Sequence, residues 1–274
     1  MNKLLIFAKS PINGKVKTRL KKDTPLTDDD ILKLYTAFLK DTIISASLSK
    51  AQKIYIAYYP EDSRGVMYDI VFQSSIFNLQ SSIELFPQSG NDFDDRLTNA
   101  LQNIHNKSSD NIVILGSDSP HIQPSTINKA FKFLSTPNSE LRTPNFNGAM
   151  VLGPSGEGGV YLIGLKSAIC NLQSAINFKG IFTSRNESDN LLQIAKRKKM
   201  PLLILEELTD VDVKSDLITL VSNLSIMEYS SRHTKIHLPQ YTLCVIRELG
   251  LTVDREGRGT RGKFLSLASS KRSR

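Results

Sequence analysis

The sequence predicts an α/β chain with a mostly parallel central sheet, on three observations. Short apolar runs alternate along the chain with segments whose apolar residues recur at helical spacing. Strand-like runs such as Leu4–Ala8 and Asn111–Leu115 (NIVIL) are apolar almost throughout and read as buried strands. At 274 residues with 40% hydrophobic and 23% charged residues, the chain can bury a core without disulfides or metal.

Each element follows from its own residues. Leu4–Ala8 is the first strand. Asp28–Ser47 (DDDILKLYTAFLKDTIISAS) opens on acidic residues that suit a helix N-terminus and continues with helical periodicity. Lys53–Tyr59 (KIYIAYY) is a second strand closed by Pro60, and Ile83–Phe86 a short third. Phe93–His105 is a helix, Asn111–Leu115 a buried strand ending at Gly116, and Pro124–Leu134 a helix with proline near its start. Gly148–Leu152 and Val160–Leu165 are strands around a glycine-rich turn. A helix over Asp189–Lys199, a strand over Leu202–Leu205 and a helix over Lys214–Leu224 complete the alternation. Such alternation implies right-handed crossovers and a layered α/β architecture.

Composition excludes several classes. Collagen, coiled coil and wholesale disorder do not fit, and no apolar stretch reaches the ~20 residues of a membrane helix. Cys170 and Cys244 lie 74 positions apart with no CxxC pair, which excludes a cysteine-rich zinc site and suggests a reducing cytoplasm. The net charge of +8 is uneven: residues 225–274 hold ten Lys/Arg and four Asp/Glu, leaving only +2 for residues 1–224. The expected organisation is therefore a nearly neutral body over 1–224 and a basic, partly disordered extension over 225–274. A nucleic-acid role, if any, belongs to that extension.

Parallel sheets place ligands at the carboxyl ends of their strands, so the residues after each strand carry the functional reading. After the first strand, Lys9-Ser-Pro-Ile-Asn-Gly-Lys-Val-Lys-Thr-Arg-Leu20 puts Lys9, Lys15, Lys17 and Arg19 around a turn made by Pro11 and Gly14. Such a loop suits a polyphosphate, although it lacks Walker A spacing; the blander reading is a solvated basic turn. After Asn111–Leu115, Gly116-Ser-Asp-Ser-Pro120 leaves Asp118 at the sheet edge. There its carboxylate suits Mg²⁺ or Mn²⁺ against phosphates, or else caps a turn. In Thr209-Asp-Val-Asp-Val-Lys-Ser-Asp216, Asp210 and Asp212 are read as facing opposite ways, so that one of them, Asp212, serves a metal site. Asp216 reads as a helix-start carboxylate. Gly153-Pro-Ser-Gly-Glu-Gly-Gly-Val-Tyr-Leu-Ile-Gly164 is read as a close approach of backbone to ligand, against a plain hairpin turn.

FAKSPINGKVKTRL, GSDSPHI, GPSGEGGVYLIGL and LTDVDVKSDL, in that order over roughly residues 3–220, resemble the predicted glycosyltransferases of the radical-SAM/selenodomain-associated type. These belong to the nucleotide-diphospho-sugar transferase superfamily, which also holds molybdenum cofactor guanylyltransferase and 2-phospho-L-lactate guanylyltransferase. The resemblance implies a GT-A/Rossmann-like three-layer αβα sandwich. It places Lys9, Gly14, Lys17 and Arg19 on nucleotide phosphates, with Arg96 near the nucleotide pocket. It makes Asp118 and Asp212 ligands of Mg²⁺ or Mn²⁺, and sets Glu157, Gly158, Gly159 and Tyr161 on the acceptor side. Asp118, Lys17 and Arg19 are the implied catalytic set. The chain departs from the family pattern at Glu157, Val160 and Asp94, where relatives show aspartate, an aromatic and glycine.

The expectation is a cytoplasmic, metal-dependent transferase with a nucleotide or nucleotide-sugar donor and a small-molecule acceptor. Glycosyl transfer from an NDP-sugar comes first. Nucleotidyl transfer, as in 2-phospho-L-lactate guanylyltransferase, and a non-catalytic nucleotide-binding module are the alternatives. A homodimer is open. No GxSxG elbow supports a serine hydrolase. His121 reads as a surface residue, and His233 and His237, spaced as one helix face but followed by Pro239, lack a clear third zinc ligand. Gln240–Leu249 is periodic or strand-like and is expected to pack on the body or a second subunit. Asp254–Lys263 and the closing SSKRSR read as a solvated terminus.

Overall fold

The computed structural model describes residues 1–73, 82–105, 110–137, 148–166, 178–183, 186–256 and 262–267. In chain order the elements are β1 (Asn2–Lys9), α1 (Thr18–Asp23), α2 (Asp28–Ser47), β2 (Lys53–Tyr59), α3 (Arg64–Tyr68), β3 (Ser82–Pro87), α4 (Phe93–Ile104), β4 (Asn111–Leu115) and α5 (Pro124–Ser135). They continue with β5 (Met150–Pro154), β6 (Val160–Lys166), α6 (Glu187–Arg197), β7 (Leu202–Ile204), α7 (Lys214–Ser230), α8 (Gln240–Glu248), β8 (Thr252–Arg255) and β9 (Lys263–Ser266). None of the described helices is long and apolar enough to cross a membrane.

The chain divides into two compact units. The first comprises Met1–Ser10, Ile44–Ser117 and Pro124–Leu208. It carries a seven-stranded sheet in the order β3-β2-β1-β4-β6-β5-β7. β1 pairs in parallel with β2 and β4, β2 with β3, and β5 with β7; β6 is antiparallel to both its neighbours. The predicted mostly parallel sheet is therefore present, with β6 reversed. Leu5, Phe7, Ile112, Ile114, Ile163 and Leu165 meet Leu97, Leu101 and Ile104 of α4 and Leu191 and Ile194 of α6 in one core cluster. α5 packs against β4 and β6. A Cβ on Gly164, between Ile163 and Leu165, would lie 3.3 Å from Leu134 of α5. Alternation along β6 thus puts α5 on the sheet face opposite α4 and α6. Helices on both faces explain the unbroken apolar runs Leu4–Ala8 of β1 and Ile112–Leu115 of β4.

The second unit comprises Pro11–Ile43, Asp118–Gln123 and Thr209–Arg274. Leu20 of α1, Leu34 and Phe38 of α2, Leu220 and Leu224 of α7, Leu243 and Ile246 of α8 and Leu265 of β9 share one core. The buried Asp41 accepts hydrogen bonds from Tyr241 N (3.1 Å) and Thr242 N (2.7 Å), satisfying amides at the start of α8. The expected boundary after residue 224 falls inside α7, which runs on to Ser230 although its buried residues end at Leu224.

Several expectations are corrected. Of the two readings of residues 240–249 the helical one holds, over Gln240–Glu248, whereas Thr252–Arg255 and Lys263–Ser266, expected as a solvated terminus from Asp254, pair as antiparallel strands. The strand expected over Gly148–Leu152 begins at Met150, since Gly148 has φ 143°, outside strand geometry. α1 and α3 were not foreseen. Cys170, residues 257–261 and the closing SSKRSR lie outside the described residues.

Candidate functional site

Three short segments of the second unit meet around one side chain. Lys17 precedes α1 with left-handed backbone angles (φ 46°, ψ 38°). Its Nζ lies 2.7 Å from Asp118 Oδ2 and 2.7 Å from Asp212 Oδ1. The Lys17 side chain is 5% exposed, whereas Asp118 and Asp212 are 29% and 48% exposed. The ammonium is enclosed while its two partners face solvent. Arg19, on the first turn of α1, is exposed and brings Nη1 to 3.8 Å from Asp212 Oδ2.

The carboxylates are held by local bonds. Val211 N donates to Asp118 O (2.9 Å), tying the two acidic loops together, and the Val211 side chain is buried in the unit's core. Asp216 Oδ2 accepts from Asp212 N and Val213 N at 2.9 Å each, which caps α7 as its helix-start position foretold and fixes the backbone of Asp212. Ser119 Oγ lies 3.0 Å from Thr209 O and 3.2 Å from Asp210 Oδ1.

The expectation that Asp210 and Asp212 diverge is wrong. Residues two apart on an extended chain share a face, and Val211 takes the opposite one into the core. Burial would push the Lys17 ammonium down, but the charges of Asp118, Asp212 and Asp210 together outweigh it and hold Lys17 above the ordinary lysine range. Burial, then the charge of Asp118, pushes Asp210 up. Asp210 was legible: the D-V-D pattern around a core valine puts both carboxylates on the side away from the core.

This donor set suits a cation held jointly with phosphate oxygens. Among the described residues, no three His, Cys, Asp or Glu side chains are arranged to hold a metal alone. Asp118 and Asp212 instead aim two oxygens at a single positive charge. One or two carboxylates completed by substrate phosphates is a usual Mg²⁺ arrangement, so the residues fit such an ion.

The other expected site residues belong elsewhere or play different parts. Gly14, in the second unit, turns the chain at φ 70°, with Lys15 N donating to Ile12 O (3.0 Å). Lys9, Arg96, Glu157, Gly158, Gly159 and Tyr161 lie in the first unit. Lys9 is exposed at the end of β1. Arg96 Nε donates to Gln88 Oε1 (3.2 Å) and its Cζ lies 4.6 Å from the centre of the Tyr59 ring. Glu157 is exposed in a turn with φ 58°. Tyr161 is buried and donates its hydroxyl to Glu206 O (2.9 Å), and burial pushes its pKa up.

The close approaches in the glycine-rich segment are to the protein's own side chains. A Cβ at Gly153 would sit 2.4 Å from the Tyr161 ring, and one at Gly159 would sit 2.6 Å from Ser155 Oγ. Asp94, one of the positions where the chain departs from the resembled pattern, is 1% exposed. It accepts from Gly180 N (2.7 Å), Phe182 N (3.0 Å) and Thr183 Oγ1 (2.9 Å), so it holds residues 180–183 to α4.

His121 is also corrected. It is 6% exposed rather than at the surface; burial pushes its pKa down to about 4, and its Nδ1 has no partner among the described residues. His233 and His237 lie beyond the end of α7 and share no helix face.

Solved structures share the fold. A provisionally assigned nucleotide-diphospho-sugar transferase from Desulfovibrio desulfuricans G20 matches with a TM-score of 0.67 and 24% identity, over 90% of this chain and 94% of its own. The 4-diphosphocytidyl-2C-methyl-D-erythritol synthase of Anaerococcus prevotii DSM 20548 matches with a TM-score of 0.51 and 9% identity, over 81% and 96%. No curated protein matches the chain. The family described as "Uncharacterized protein conserved in bacteria (DUF2064)" matches residues 43–185, just over half of the sequence, and the chain belongs to that family.

Proposed function

We propose that the protein is a metal-dependent transferase with a nucleotide donor, and that it moves a glycosyl group from an NDP-sugar to a small acceptor. The observation that carries this reading is the single enclosed ammonium of Lys17 shared by the half-open carboxylates of Asp118 and Asp212. The fold it shares with a provisionally assigned nucleotide-diphospho-sugar transferase supports it. So do the four motifs resembling radical-SAM/selenodomain-associated transferases.

In this reading Lys17 and Arg19 take the donor's phosphates, and Lys9 and the turn at Gly14 belong to the same phosphate-binding loop. Arg96 binds the nucleotide, and Glu157 with Gly158 and Gly159 contacts the acceptor, with Tyr161 supporting that turn. Asp118 and Asp212 hold Mg²⁺ or Mn²⁺, which when bound supplies charge neutralisation on phosphate oxygens. The acceptor hydroxyl attacks the anomeric carbon and loses its proton to solvent, the bond from that carbon to the diphosphate breaks, and the NDP leaves. Lys17 and Arg19 offset the charge developing on the departing diphosphate.

Nucleotidyl transfer is the second reading, favoured by the shared fold of a synthase that makes a diphosphocytidyl compound. There the acceptor attacks the α-phosphorus of an NTP and pyrophosphate leaves. Phosphorus NMR of NTPs and NDP-sugars, incubated with Mg²⁺ and a pool of small hydroxylated acceptors, separates the two. The proposal expects NDP from an NDP-sugar, abolished by EDTA and by Asp118→Asn. Pyrophosphate from an NTP would replace it with the second reading, and binding without turnover would leave a nucleotide-binding module.

A further inference from the structure

At the carboxyl ends of β1, β2 and β3, within the first unit, one buried glutamine organises an arginine. Gln88 follows β3 directly and is 6% exposed. Its Nε2 donates to Ala8 O and to Ala57 O, at 3.0 Å each, near the ends of β1 and β2. Both amide hydrogens are thereby used on carbonyls, which fixes the orientation of the amide: Oε1 must face the other way. There it accepts from Arg96 Nε at 3.2 Å. The guanidinium carbon lies 4.6 Å from the centre of the Tyr59 ring, itself 41% exposed. Nε is thus occupied and the guanidinium sits over the Tyr59 ring, and among the described residues the two Nη groups have no hydrogen-bond or ion-pair partner. What remains is a two-pronged donor, held in orientation on a flat aromatic platform.

We propose that Arg96 reads the donor's base through a planar edge bearing two adjacent acceptors, with Gln88 as its positioning residue. This rests on the nucleotide-donor reading above and specifies which donor. Guanine offers O6 and N7 side by side, and cytosine offers N3 and O2. Adenine sets its amino donor beside N1 and N7 and leaves N3 alone, and uracil sets N3–H between O2 and O4, so neither offers two adjacent acceptors to the two Nη groups. The chemistry selects guanine or cytosine donors against adenine and uracil ones. A planar base also suits the Tyr59–Arg96 platform in a way that a tetrahedral phosphate does not.

The test is calorimetric titration of the full chain with GDP, CDP, ADP, UDP and inorganic pyrophosphate, each with Mg²⁺. The expected result is that GDP or CDP binds about tenfold or more tightly than ADP and UDP. GDP against CDP identifies the base. Arg96→Lys keeps the charge and removes the fork, so the preference should collapse towards one while pyrophosphate binding persists. Gln88→Met should narrow the preference. Because it also strips Ala8 O and Ala57 O of donors, the readout is the ratio of affinities and not affinity or stability. If Gln88→Met does not fold, Arg96→Lys decides alone.

Equal affinities for all four nucleotides, or a preference that survives Arg96→Lys, would overturn the inference and leave the nucleotide reading standing. Loss of pyrophosphate binding in Arg96→Lys, with all four nucleotides weakened equally, would make Arg96 a phosphate clamp and also overturn it. A preference lost in Arg96→Lys but intact in Gln88→Met would remove Gln88 from the proposal. No binding by any nucleotide would remove the donor reading, and this inference with it.

Discussion

Among the described residues, Lys3 in the first unit and Lys17 in the second are almost wholly enclosed, and their partners differ. Lys3 is 0% exposed, 2.6 Å from Asp110 Oδ2 and donating to Ile104 O at 2.7 Å. Asp110 is 2% exposed and also takes the Met1 ammonium at 3.3 Å. That cluster is closed: every charge in it has a protein partner and no carboxylate faces water. Lys17 has two carboxylates on one ammonium, a third close by, and solvent on the outer side of both partners. A closed cluster at the start of β1 and β4 ties chain segments together. An open cluster with more negative than positive neighbours on loops is suited to exchanging partners. Burial of a lysine by itself therefore does not mark a site; the exposure of its partners does.

The largest effect should come from breaking the closed cluster. Asp110→Asn leaves Lys3 buried against a neutral partner and should cost about 3–5 kcal/mol in urea unfolding. A loss below about 1 kcal/mol would break the comparison, since Lys3 would then be no better fixed than a surface lysine. Gly153→Ala forces a Cβ into the Tyr161 ring and should cost about 1–3 kcal/mol. Gly156→Ala, with nothing within 4 Å of the new carbon, should cost less. Equal costs would return the glycine-rich turn to a ligand-driven explanation.

A pH series sharpens the picture of the second unit. His121 is held neutral, its pKa pushed from 6.5 down to about 4 by burial. The unfolded chain binds this proton first, so the contribution of His121 to stability is full above about pH 6.5 and is lost as pH falls towards 4. At roughly 1.4 kcal/mol per unit, the loss is about 2 kcal/mol at pH 5. His121→Leu should remove that part of the acid destabilisation, read as a smaller fall in unfolding free energy between pH 7 and pH 5 than the wild type shows. Parallel curves for the two proteins would contradict it.

The smallest stability effect should be at the open cluster. Lys17→Met should cost only about 1 kcal/mol, because Asp118 and Asp212 can hydrate once the ammonium is gone. A cost matching that of Asp110→Asn would mean that Lys17 is structural too.

How much of this was legible depended on the range of the interactions. Strands such as β1 and β4 were readable because burial on both faces writes an uninterrupted apolar run. α2 was readable from its acidic start and its period. β5 was misplaced because a single backbone angle at Gly148 sets its beginning. The tail hairpin was hidden by its charged residues, and α8 was too short for its period to exclude a strand. At the site, Lys17, Asp118 and Asp212 follow from looking past strand ends. Asp210 was missed by misjudging which side an alternate residue takes. Gln88 left no local trace, since its role comes from the carbonyls of Ala8 and Ala57, 80 and 31 residues away in sequence.

The most direct test of the open cluster as a ligand site is the thermal unfolding midpoint of the wild type and Asp118→Asn. Each is measured with and without Mg²⁺ and a saturating panel of NDP-sugars and NTPs. Ligand binding to the folded state raises the midpoint by mass action. The account predicts a rise in the wild type that needs both metal and nucleotide and is absent in Asp118→Asn. An equal rise in both proteins, or a wild-type rise indifferent to EDTA, would contradict it.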